Sequence, residues 1–268
     1  MNRLPTYFIS HGGGPWPWMD GDFRRYFDKL ETSLGDIARE VGTKPRAVLM
    51  ISGHWEEDRA TVQSGERPGM IYDYSGFPAH TYTIKYGAPG SPAVAKRVKE
   101  LLEAAGILAA LDPDRGFDHG TFTPLFAMYP DADVPVVQLS LKRGYDPAEH
   151  LAIGRALKPL RDEGVLIVGS GLSWHNLRMM GPSAHAPSQA FDGWLHQALA
   201  SPPAERTRKL EAWEAAPSAR LAHPQEDHFV PLMVALGAAE EEPATRVYHE
   251  QGFMGGATAS SYRFGGLK

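Results

Sequence analysis

VLIVGSGLSWHNLR, residues 165–178, opens as a continuous apolar run of branched residues, the pattern of a strand buried on both faces. It breaks at Gly169-Ser170-Gly171 and carries His175 into the loop beyond the strand's carboxyl end, the place where open α/β sheets bind ligands. Two earlier stretches repeat the arrangement. Residues 6–10 (TYFIS) run into His11-Gly12-Gly13-Gly14-Pro15, and residues 47–52 (AVLMIS) run into Gly53-His54-Trp55. Three apolar strands thus each deliver a histidine to one edge of one sheet.

The rest of the chain supplies the elements such a sheet needs. Phe23, Tyr26, Phe27, Leu30, Leu34, Ile37 and Val41 fall at helical spacing, which predicts a helix over 22–41 closed by Gly42. Residues 56–90 lack a long period. They mix turn signals with an alternation at Tyr82, Ile84 and Tyr86, predicting a loop-and-strand excursion that covers the site. Ser91-Pro92 caps a helix that Gly106 ends. Gly116-Phe117-Asp118-His119-Gly120 starts a short helix through Met128, and residues 135–141 (PVVQLSL) read as a further strand. Asp146-Pro147 and Glu149 open a helix to about Asp162. Residues 188–200, 203–215 and 229–236 read as helices, and 245–249 and 261–264 as edge strands. This order predicts an α/β fold: a single domain, with a mostly parallel central sheet and helices on both faces.

Composition narrows the chemistry. The 268 residues carry a net charge of −5 and no Lys/Arg cluster, which argues against a nucleic-acid binder. No apolar run approaches the roughly 20 residues that span a membrane. The N-terminus enters a strand almost at once, and the expected location is cytoplasmic. With 0 cysteines, any metal must be held by imidazole and carboxylate. Among 11 histidines, His11, His54 and His175 share the strand-end position, His119 lies in a glycine-flanked loop, and His228 stands at a helix start. His150, His185, His196 and His249 have helical, proline-rich or edge contexts and read as structural; His80 and His223 stand between. The His11-Gly12-Gly13-Gly14 run also occurs in the oxyanion loops of lipase-like hydrolases. Those need a Gly-x-Ser-x-Gly elbow, which this chain lacks. Imidazole suits zinc, iron and copper, and a site with open positions is catalytic. Histidines off the metal can move protons near neutral pH. A zinc hydrolase and a non-catalytic metal- or small-molecule-binding protein are the rival readings of the same residues.

Eight ordered motifs go further. His11-Gly12, Ser52-Gly53-His54-Trp55, Gly76-Phe77-Pro78, Ala88-Pro89-Gly90-Ser91-Pro92, Gly116-Phe117-Asp118-His119-Gly120, Pro135-Val136-Val137-Gln138-Leu139-Ser140, His175-Asn176-Leu177-Arg178 and Asp227-His228-Phe229-Val230-Pro231-Leu232 recur in one family. From residue 5 to about 240 the chain resembles the class III extradiol ring-cleavage dioxygenases, in their DOPA-dioxygenase-like branch. The resemblance implies one catalytic domain over 1–268 with its metal site at the C-terminal ends of the strands. It implies a non-haem Fe(II) enzyme that uses O2 to open a catechol ring to a semialdehyde, with Zn(II) able to occupy the resting form. His11, His54 and His228 would be metal ligands. His175 would be a fourth ligand or an acid–base group, and His119 a proton donor facing the substrate. The wider class uses a glutamate as third ligand; here that position reads His228, with Glu226 and Asp227 as neighbouring rivals. A third imidazole in place of a carboxylate leaves more positive charge on the metal, and should favour ionised substrate. The partners implied are a small catechol and O2, with no nucleic acid and no membrane; oligomeric state is not legible. The excursion, the Trp16-Pro17-Trp18 loop and Arg178 are expected to shape specificity.

Overall fold

The apolar runs become neighbours in one eight-stranded sheet. The structure, a computed structural model, describes residues 3–267. In chain order the elements are β1 (Thr6–Ser10), α1 (Gly21–Arg25), α2 (Asp28–Val41), β2 (Ala47–Glu57), β3 (Ala60–Gln63), α3 (Pro92–Ala104), β4 (Ala109–Asp112), α4 (His119–Met128), β5 (Val136–Lys142), α5 (Pro147–Leu157), β6 (Val165–Gly171), α6 (His185–Ala200), α7 (Pro203–Glu211), α8 (Ala219–Ala222), α9 (Pro231–Gly237), β7 (Ala244–Phe253) and β8 (Ala257–Phe264). The sheet order is β4-β3-β5-β2-β6-β1-β8-β7, with the central β5-β2-β6-β1 run parallel throughout.

Alternation along these strands buries both faces. Tyr7, Ile9, Val48, Met50, Leu166 and Val168 pack with Leu30, Leu34 and Ile37 of α2 and Phe122 and Leu125 of α4. Their neighbours Leu49, Ile51, Val137, Leu139 and Ile167 meet α3, α5 and α9 on the other side. Caps sit where sequence chemistry puts them: Ser91 Oγ accepts from the Val94 amide at 3.4 Å, and Asp146 Oδ1 from the Glu149 amide at 3.0 Å. Among the described residues no helix is long and apolar enough to cross a membrane.

Four departures from the sequence reading have local causes. The expected helix over 22–41 is two helices, broken where Phe27 turns in to stack on Trp16 and pack against Phe253. β2 does not stop at Ser52: its pairing with β5 shifts register between Ile51 and Glu56 and then resumes, so His54 sits on an irregular stretch within the strand. The alternation at Tyr82, Ile84 and Tyr86 is not a strand. Ile84 and Tyr86 are buried, and Tyr86 Oη donates to the Tyr129 carbonyl at 3.0 Å. Finally, β8 is not an edge strand, because it pairs with both β1 and β7.

The carboxyl half of β6 is packed against backbone. A methyl group on Gly169 would overlap the Pro231 carbonyl at the start of α9, whereas Gly193 on α6 faces open space. Gly169→Ala is therefore expected to destabilise by about 1–3 kcal/mol through overpacking. Gly193→Ala should stabilise by about 0.5–1 kcal/mol through helix propensity. Urea unfolding of the two variants checks both signs.

Candidate metal centre

Each histidine reaches the site by a distinct local device. His11 follows β1 directly, its amide donating to the Gly171 carbonyl at 3.1 Å. The next residue, Gly12, has φ +88, and a side chain there would also strike Trp16, whose indole donates to the His11 carbonyl at 2.9 Å. His54 is turned inward by the irregularity in β2. His119 is the first residue of α4, behind its N-cap Asp118. Gly120 has to lack a side chain, since a Cβ would lie 2.6 Å from Ser52 Oγ and 2.7 Å from His54 Cδ2. His228 lies just before α9, its carbonyl accepting from the Leu172 amide at 3.0 Å.

Three of these imidazoles converge. His54 Nε2 lies 3.3 Å from His11 Nε2 and 3.0 Å from His228 Nε2. These ring nitrogens form one group whose atoms all lie within 4.8 Å of one another. Burial first, then neighbouring imidazoles, holds all three well below the usual histidine range, so they are neutral near pH 7. Neutral imidazoles crowding their Nε2 atoms at one point cannot all satisfy one another by hydrogen bonds. A divalent cation can take all three lone pairs, and the donor set fits iron or zinc.

The other two histidines flank the cluster. The His119 ring centroid lies 4.0 Å from that of His54 and 5.4 Å from that of His11. His175 stacks on His228 with centroids 3.4 Å apart and ring planes 13° from parallel, and burial lowers it to about 4. All five histidines singled out from sequence meet here. His80 instead donates from Nε2 to the Trp18 carbonyl (3.0 Å), and His223 is buried against Phe229 and Trp213 with Nε2 3.1 Å from the Ser173 carbonyl. Glu226 pairs with Arg220 at 2.7 Å, and Asp227 places Oδ2 3.0 Å from His228 Nδ1. Trp16 is fully buried beneath the His11 turn, while Trp18 packs on Phe126.

Two carboxylates were missed by sequence reasoning. Asp73, on the covering excursion, accepts from His119 Nδ1 at 2.8 Å and places its other oxygen 3.2 Å from His54 Nδ1. Burial would raise its pKa, but the hydrogen bonds from His119 and the electrostatic pull of the adjoining His119 and His54 rings outweigh that and hold it at about 2. Asp118 is fully buried, accepting from Ser52 Oγ at 2.7 Å and from Arg115 at 2.8 Å. Burial raises its pKa. Asp73 follows no period; its only signal is a lone acid between two tyrosines.

The chain is similar to known proteins over nearly its whole length. The family model described as the catalytic LigB subunit of aromatic ring-opening dioxygenase matches residues 5–265. A Beta vulgaris protein named 4,5-DOPA dioxygenase extradiol is 42% identical over 267 residues, spanning 98% of this chain and 97% of that one. An Escherichia coli K12 protein of the same name is 36% identical over 249 residues, spanning 91% and 88%. The crystal structure of an uncharacterised protein from Escherichia coli K12 matches with TM-score 0.80 at 31% identity, covering 98% of this chain and 100% of the other.

Neutral burial of the imidazoles has a measurable consequence. In the unfolded chain histidines titrate near about 6.5. Below that pH the unfolded chain holds more protons, so the stability of metal-free protein falls as pH falls. Each buried histidine contributes up to about 1.4 kcal/mol per pH unit. His223, lowered to about 3 by burial, adds to the same slope. Urea unfolding in chelator between about pH 7.5 and 5.5 should show this decline, and His228→Gln should flatten it. A flat profile for the unaltered chain would contradict the buried-neutral state.

Proposed function

This chain belongs to the family of the catalytic LigB subunit of aromatic ring-opening dioxygenase, and from that membership we propose that it is a non-haem Fe(II) enzyme cleaving a catechol beside its two hydroxyls. It is an extradiol dioxygenase, and its substrates are a small aromatic molecule and O2. The observation that carries the finer reading is the convergence of three buried, neutral imidazoles on one point with two further histidines against them. His11, His54 and His228 hold the metal through Nε2, and residues 1–268 act as one catalytic domain. Ferrous iron, when bound, supplies a common site and an electron path between the catechol and O2. Zn(II) fits the same nitrogens but has no redox chemistry.

The chain's own groups then handle protons. His175 is neutral and able to accept a catechol hydroxyl proton as the substrate ionises. His119 stands on the other flank with Nδ1–H bound to Asp73, leaving the Nε2 lone pair to take up a proton and hand it on at the oxygen side. Tyr74 presents its ring 5.8 Å from His119 and 5.4 Å from Phe77, an aromatic wall suited to a planar ring. The names of the Beta vulgaris and Escherichia coli relatives support a DOPA-like catechol, with a ring-opened semialdehyde as product.

Protein reconstituted anaerobically with Fe(II) and given an active catechol should consume one O2 per ring opened and form a yellow product. Turnover at a similar rate by zinc-loaded, iron-free protein would overturn the reading in favour of hydrolysis. His11→Ala, His54→Ala and His228→Ala should each lose bound metal with the fold kept, and full retention in His228→Ala would move the third ligand to Asp227 or Glu226. His175→Ala and His119→Ala should each slow turnover by about 10²–10⁴-fold. Under nitrogen only His175→Ala should need higher pH to ionise bound catechol. Identical profiles for the two variants would remove this division of roles.

A further inference from the structure

Between β3 and α3 the chain has no regular element except a 3-10 turn at Ala79–Thr83. One point of that segment is nonetheless held hard against the site. The Ile71 amide donates to the Phe117 carbonyl at 2.8 Å, and the Phe117 amide to the Gly69 carbonyl at 2.8 Å. The approach is so close that a Cβ on Gly116 would lie 2.8 Å from the Gly69 carbonyl oxygen. On either side of Asp73, Tyr72 Oη donates to the Ile84 carbonyl at 2.6 Å and Tyr74 Oη to the Thr81 carbonyl at 2.5 Å. Asp73 is therefore delivered by a braced strap. Its Oδ1 accepts from both the backbone amide of His119 (3.0 Å) and His119 Nδ1 (2.8 Å).

We propose that Asp73 is a positioning residue for ring opening: by accepting the hydrogen bond from Nδ1–H it locks His119 as the Nδ1–H tautomer, so that Nε2 is the nitrogen that takes up a proton and passes it on. The inference rests on the proton-delivery role given to His119 above. A carboxylate can only accept, so a histidine nitrogen bonded to it has to carry the hydrogen. The tautomer of an imidazole follows from the bond its other nitrogen makes. A buried Asp does the same for the general-base histidine of serine proteases. Because one Asp73 oxygen takes both the His119 amide and its ring, the carboxylate and the imidazole are fixed to the same turn of α4 and cannot drift independently. His175 has no equivalent, since the nearest Asp227 oxygen lies 3.9 Å from its Nδ1. The strap also carries Tyr74, whose ring faces His119, so one segment both shapes the pocket wall and sets the proton carrier.

The test reads the tautomer directly. In zinc-loaded, 15N-labelled protein the His119 resonances, assigned by their loss in His119→Ala, should report the Nδ1–H form. In Asp73→Ala they should move to a mixture containing the Nε2–H form. At saturating Fe(II), kcat of Asp73→Ala should fall about 10–100-fold, the usual scale for such outer partners, with KM for the catechol nearly unchanged. Because Asp73 Oδ2 also lies 3.2 Å from His54 Nδ1, the comparison is made at matched metal content, and in the His119→Ala background the same substitution should lower kcat clearly less than in the unaltered protein, since Asp73 and His119 act as a unit. Should Asp73→Ala lose structure, Asp73→Ser keeps polarity on the strap while losing reach, and gives the same comparisons. An unchanged Nδ1–H tautomer, or a rate loss equally large without His119, overturns the proposal. Failure of the unaltered enzyme to open any catechol would count against the assigned function instead, while the tautomer spectrum still decides on Asp73.

Discussion

The site depends on the backbone around His228 lying directly on the carboxyl ends of two central strands. Gly171 is so close that a methyl group there would overlap the His228 carbonyl, and one on Gly53 would lie 3.0 Å from the Asp227 carbonyl oxygen. The Leu172 amide donates to that same His228 carbonyl. A segment more than fifty residues downstream of β6 is thereby pinned across β6 and β2, which is what lets a distant histidine meet His11 and His54. Side chains at these glycines would lift His228 off the sheet and separate its Nε2 from the other two. The convergence is thus a packing result before it is an electrostatic one.

Electrostatics then sorts the groups by side. The inner nitrogens are neutral because burial penalises the imidazolium. The outer nitrogens of His54 and His228 face Asp73 and Asp227. Asp73 and Asp227 place carboxylates beside these two imidazoles, and that negative charge favours a cation at the centre of the cluster. Asp227 is pushed up to about 6 mainly by burial, and a cation nearby would favour its ionised form.

The sequence made the strands and histidines legible because both are written locally. An apolar run followed by glycine and histidine needs no tertiary information, and it recurs at Ile9–His11, Ile51–His54 and Val168–His175. His119 and His228 are marked by a glycine-flanked loop and an approaching helix rather than by a strand end, and they lie at the first residue of α4 and just before α9. What stayed hidden depends on distant partners. β3 and β4 are four residues each and pair with strands far along the chain, so no window contains their signal. Tyr82, Ile84 and Tyr86 alternate as a strand would, yet the buried Ile84 and Tyr86 lie in an extended segment that packs on the core without a ladder partner. Asp73 carries no pattern, because its role is defined entirely by the backbone pairing at Phe117.

Asp118 and Arg115 show why a costly feature is kept. A fully buried carboxylate paired with a guanidinium commonly gives no more stability than apolar side chains of the same volume. Here, however, the pair is joined to the backbone on both sides of the site. Asp118 holds the N-cap position of α4 immediately before His119, and its carboxylate accepts from Ser52 Oγ, which in turn accepts from the His54 amide at 3.2 Å. Arg115 stacks over Trp55 at 4.8 Å, the residue after His54. An apolar replacement could fill the volume, but it could not hold the His54 and His119 main chains in register with each other. The network therefore trades stability for placement. Placement is what a site needs when two of its imidazoles, 4.0 Å apart, must point their nitrogens at different tasks.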